Sequence, residues 1–131
     1  MICDDEKIIS KSIENLIIKV GKASKKSIST RMAKNGIECL YKIYEDYING
    51  IKYDILLIDE NMPFLLGSDI IRIITRLITS KQLNRIKIYS ITGYSDLEQI
   101  KYIKDSGALG FYSKPLNTGM VEDLFREVQI I

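Results

Sequence analysis

The chain has 131 residues, 46% of them hydrophobic and 27% charged, with a net charge of +2, which fits one globular domain with a single core. So mild a charge gives no argument for nucleic-acid or membrane-surface binding, and no apolar run approaches the ~18 residues of a spanning helix. There is no histidine, which excludes His-based triads, His-ligated zinc and any role as a phosphohistidine carrier.

Strand and helix alternate five times along the chain. Residues 1–4 read as a short strand and 6–20 as a helix, because Ile13, Leu16, Ile17 and Val20 recur on one helical face. Residues 26–32 read as a second strand. The stretch 36–48 reads as a helix with Leu40, Ile43, Tyr44 and Tyr47 on one side. Residues 53–59 form the clearest strand, since Ile55, Leu56, Leu57 and Ile58 run without a polar break, as in a strand covered on both faces. Asn61-Met62-Pro63 is a loop, because the residue before proline avoids the helical region. A helix over 66–79 turns Ile70, Ile71, Ile74 and Ile78 inward. Residues 86–92 are the fourth strand. Ser95-Asp96-Leu97-Glu98 reads as a capping box that starts a helix to about residue 106. A short strand over 109–113 precedes Pro115, and a last helix over 118–130 buries Val121, Leu124, Phe125 and Val128. The two cysteines, Cys3 and Cys39, lack CxxC spacing and fit a reduced setting.

Such alternation implies an α/β fold: a doubly wound, five-stranded parallel sheet with right-handed crossovers and helices on both faces. Ligands of such sheets bind outside the carboxyl ends of the strands. Those ends carry Asp4 and Asp5, Asp59, Thr92 and, after the fifth strand, Lys114. Three carboxylates brought together repel one another, and a hard divalent cation such as Mg²⁺ relieves this. Thr92 and Lys114 suit phosphoryl oxygens, and a carboxylate can act as the nucleophile that forms an aspartyl phosphate.

Four motifs in order make the resemblance specific. They are Asp4-Asp5, then Asp59-Glu60-Asn61-Met62-Pro63 followed by Gly67, then Thr92-Gly93, then Phe111-Tyr112-Ser113-Lys114-Pro115. Over nearly its whole length the chain is similar to the receiver domains of two-component response regulators and hybrid sensor kinases. The resemblance implies a flavodoxin-like strand order 2-1-3-4-5. It implies Asp59 as phosphoacceptor, Asp5 as a direct Mg²⁺ ligand supported by Asp4, and the Asn61 backbone carbonyl as a further ligand. Thr92 and Lys114 would hold the phosphoryl group, and Lys114-Pro115 would be cis. Phe111 would be the aromatic that turns inward as Thr92 moves. The donor would be a histidine kinase or histidine phosphotransfer protein. The output would be a downstream protein or a domain of a parent chain, with no nucleic acid and no membrane insertion. The setting would be cytoplasmic, and residues 1–131 would be one domain of a longer protein.

Taken singly, each residue has a plainer reading. The leading acids could cap a helix, Asp59 and Lys114 could face solvent, Thr92 could be an ordinary strand residue, and Phe111 could pack the core. Only their joint order on strand ends favours the site. Two rivals remain at this stage. One is a receiver-like binding module that is never phosphorylated. The other is a small aspartyl-phosphate phosphatase, disfavoured by Asn61 where a second acid is needed. Two further stretches stand apart from the motifs. The basic run from Lys19 to Lys34 reads as solvated surface, and Phe64-Leu65-Leu66 reads equally as core or as a contact patch. Asn61 and Tyr94 flank the site and would tune the lifetime of the phosphorylated state.

Overall fold

A computed structural model describes residues 1–93 and 97–131. The elements are β1 Ile2–Cys3, α1 Lys7–Ala23, β2 Met32–Ala33, α2 Gly36–Ile48, β3 Ile55–Asp59, α3 Gly67–Thr79, β4 Lys87–Thr92, α4 Leu97–Asp105, β5 Gly110–Ser113 and α5 Thr118–Glu127. All strand pairs are parallel, as the alternation of elements implies, and they stand in the order β2-β1-β3-β4-β5 that the resemblance implies.

Successive side chains of a strand point to opposite faces, and the core divides accordingly. On one face Ile2, Leu57, Tyr89 and Ile91 meet Ile13, Ile17 and Val20 of α1 and Val121, Leu124 and Phe125 of α5. On the other, Cys3, Leu56, Ile58 and Ile88 meet Cys39 and Ile43 of α2 and Ile70, Ile71 and Ile74 of α3. The central strand β3 is covered from both sides, which is why its sequence is unbroken in apolar residues. α4 lies beside α3, tied to it through Arg72, Asp69 and Tyr102.

Several expectations need correction. β2 is not the long strand 26–32: its ladder is limited to Met32 and Ala33, the residues opposite Ile2 and Cys3. The α2 stripe is Cys39, Ile43 and Asp46, not one that includes Tyr44, which is 52% exposed. Asp46 can lie inside because Arg31 Nη1 donates to its Oδ1 at 2.9 Å and the Tyr53 hydroxyl donates to Oδ2. Two helix ends also shift: α1 passes residue 20 and ends at Ala23, and α5 ends at Glu127, short of residue 130. Half of the expected capping box, Ser95 and Asp96, lies outside the described residues, as does Tyr94. No helix among the described residues is long and apolar enough to cross a membrane.

Candidate functional site

Parallel strands end on one edge, so the residues that terminate β1, β3 and β4 and the residue that follows β5 converge there. Asp4 and Asp59 are almost fully buried, at 2% and 4% exposure, while Asp5 is exposed beside them. Carboxylate oxygens of Asp4, Asp5 and Asp59 all lie within 4.8 Å of one another. Lys114 Nζ bridges two of these acids, 2.8 Å from Asp4 Oδ2 and 3.0 Å from Asp59 Oδ1. The Lys114 backbone N–H donates to the Thr92 carbonyl at 2.9 Å, which fixes the loop after β5 against the end of β4. The Lys114–Pro115 peptide is cis.

Local hydrogen bonds hold the two buried acids in place. Asp4 Oδ1 accepts the Glu6 N–H at 2.9 Å, where α1 is about to begin. Burial pushes the Asp59 carboxyl up to about 6; Asp4 acts in the same direction, while Lys114 and the Asn61 backbone N–H pull it down. Lys114 itself is raised. Burial acts to lower it, but its hydrogen bonds and ion pairs with Asp4 and Asp59 outweigh this. The site is therefore a buried pair of acids held by one ammonium, with a third acid at its mouth.

The oxygen-only donor set fits a hard cation of the Mg²⁺ type, and the repulsion between Asp4 and Asp59 is what such an ion would relieve. Thr92 closes β4 and is 1% exposed. Phe111 is half-buried on β5, with Lys104 Nζ 5.8 Å from its ring centre. The Phe64-Leu65 pair divides: Leu65 packs on the core, and Phe64 stands 80% exposed with φ +76°. The basic run is exposed at Lys19, Lys22, Lys25, Lys26 and Lys34, but Arg31 is drawn inward by Asp46.

Sequence reasoning missed Glu60. Its carboxylate is wholly buried. Oε1 accepts the Ser68 N–H at 2.6 Å, and Oε2 accepts the Ser68 hydroxyl at 2.9 Å. Helix α3 has no side-chain cap from its own N-cap residue, Leu66, so Glu60 reaches across the loop to satisfy one of the unpaired first-turn donors. An acid wedged between the strand end and Asn61 was the only available signal.

The family described as response regulator receiver domain matches residues 1–126. A curated relative, sporulation initiation phosphotransferase F of Bacillus subtilis (strain 168), is 27% identical over 104 residues, 79% of this chain and 76% of that protein. A solved response regulator receiver domain protein from Clostridium thermocellum is 26% identical, with a TM-score of 0.71 over 98% of this chain and 89% of that one. A two-component response regulator from Cytophaga hutchinsonii gives a TM-score of 0.82 over 99% and 95% at 21% identity, a likeness of fold alone. A match from Met1 to Arg126 takes in every strand and nearly all of the last helix, and on that ground the chain belongs to the response regulator receiver domain family.

Proposed function

We propose that the chain accepts a phosphoryl group from a phosphohistidine donor onto Asp59 and that this switches a surface read by a protein partner. The observation that carries this reading is the position of Lys114, shared between Asp4 and Asp59 at the strand ends. In the transfer a carboxylate oxygen of Asp59 forms a bond to phosphorus. The phosphorus–nitrogen bond of the donor breaks, and its electron pair leaves with the imidazole. Asp4, Asp5, Asp59 and the Asn61 carbonyl would hold Mg²⁺, which supplies positive charge for the phosphoryl oxygens. Lys114 lies where it can donate to a phosphoryl oxygen, and the Thr92 hydroxyl supplies a hydrogen bond. Positioning and electrostatics of this kind are the greater part of phosphoryl transfer.

Movement of Thr92 toward the phosphoryl group, with Phe111 turning inward, is the proposed readout: a local change of charge that biases a two-state element. Intact-mass measurement after incubation with acetyl phosphate and Mg²⁺ tests the reading. One added phosphoryl group is expected on the wild type and none on Asp59→Asn. A folded wild type that takes none would support the receiver-like module that is never phosphorylated.

A further inference from the structure

The carboxylate of Glu60 does not join the acids of the site. Neighbouring side chains at a strand end face opposite ways. Asp59 turns to Lys114, whereas Glu60 turns to Ser68 at the start of α3 and to Gln99 on α4, whose side-chain amide donates to Oε2. A buried carboxylate is tolerated only when it is hydrogen-bonded, so these three donors are what keep Glu60 inside.

α4 has little apolar grip of its own. It buries one apolar side chain, Ile103, whereas α3 buries three, Ile70, Ile71 and Ile74. What holds α4 is a set of polar ties to its neighbours. The Tyr102 hydroxyl donates to Asp69 Oδ1 at 2.9 Å, Arg72 Nη2 donates to the Tyr102 carbonyl at 3.2 Å, and the Arg72 guanidinium lies 4.3 Å from the Tyr102 ring centre. Both of those hydrogen bonds are exposed. The Gln99 bond is partly buried, and it ends on the residue joined to Asp59.

We infer that Glu60 and Gln99 are a positioning pair: the Gln99 bond fixes α4 in its resting place, and residue 60 couples that seating to modification of Asp59. The coupling rests on the phosphoacceptor reading; the seating does not. A phosphoryl group on a carboxylate leaves up to ~2 negative charges where there was one. Placed on Asp59, it raises the cost of a second buried anion one residue away and so weakens the hold of Glu60 on α4. Coupling between sites is reciprocal, so a variant that releases α4 must also favour the phosphorylated state.

The test compares amide hydrogen exchange of the whole chain in the wild type, Gln99→Ala and Gln99→Arg, beside titrations with Mg²⁺ and beryllofluoride as a phosphoryl mimic. Gln99→Ala is expected to raise exchange in α4 by roughly tenfold, leaving α5 unchanged. Gln99→Arg restores a donor to the carboxylate and should return exchange to the wild-type level. Beryllofluoride should bind Gln99→Ala several-fold more tightly. Equal α4 exchange in all three proteins overturns the tie. Raised exchange with unchanged beryllofluoride affinity overturns the coupling. A wild type that binds no beryllofluoride overturns the phosphoacceptor reading and the coupling with it, and the exchange comparison then decides the seating alone.

Discussion

Gly67 packs directly on Asp59: a Cβ at position 67 would fall 2.2 Å from the Asp59 carbonyl oxygen. Its other near neighbours are also backbone, the Asp59 carbonyl carbon and the Glu60 Cα, so nothing flexible can give way. The Gly67 N–H donates to the Glu60 carbonyl at 2.9 Å, which closes the loop between β3 and α3. Gly67→Ala is therefore expected to destabilise by about 1–3 kcal/mol and to reduce phosphoryl uptake by displacing Asp59. A urea midpoint lowered at constant slope would show the first effect, and a wild-type midpoint would contradict it.

Asp59→Asn is expected to stabilise the chain in Mg²⁺-free buffer. The substitution is nearly isosteric and removes a buried negative charge that lies beside Asp4. Lys114 keeps its 2.8 Å partner, Asp4. The gain should be about 1–3 kcal/mol, read as a higher urea midpoint that Mg²⁺ narrows by stabilising the wild type. A variant less stable than the wild type under these conditions would show that the Lys114 bridge outweighs the repulsion.

Asp46→Ala should damage stability and spare the site. Asp46 is 1% exposed and joins Arg31 to Tyr53. Both partners precede their strands, so the network lies at the edge of the sheet opposite Asp59. Its loss leaves the Tyr53 hydroxyl and a half-exposed guanidinium without their shared acceptor, a cost of about 2–3 kcal/mol. Denaturant unfolding measures that cost. Phosphoryl uptake from acetyl phosphate should match the wild type in the folded fraction.

Lys81→Gly is expected to raise stability by about 0.5–1 kcal/mol. Lys81 follows the last turn of α3 with φ +62°, and Gln82 N–H closes back to the Leu77 carbonyl at 2.8 Å. Only glycine adopts that backbone without cost. A thermal midpoint below that of the wild type would contradict this.

The gathering of the candidate residues was legible because parallel topology brings strand ends together whatever lies between them. Asp4, Asp5, Asp59, Thr92 and Lys114 each stand at or just past a strand end, so their convergence followed from the order of elements. The failures have local causes. The first helix was expected to end at residue 20, yet α1 continues to Ala23, and Gly21 within it allows a close approach: a Cβ there would lie 2.6 Å from Ile28 Cγ1. Tyr44 fits an apolar stripe by spacing, but Asp46 takes the buried position once Arg31 and Tyr53 supply partners. Glu60 was illegible because its partners, Ser68 and Gln99, belong to two separate helices, and only folding brings them to it.

Borohydride reduction followed by peptide sequencing tests the central claim most directly. An aspartyl phosphate is reduced to homoserine, which marks the acceptor residue itself. After incubation with acetyl phosphate and Mg²⁺, homoserine is predicted at position 59 alone, and none when Mg²⁺ is withheld. Homoserine at Asp4, Asp5 or Glu60, or none anywhere in a protein shown to be folded, would contradict the account.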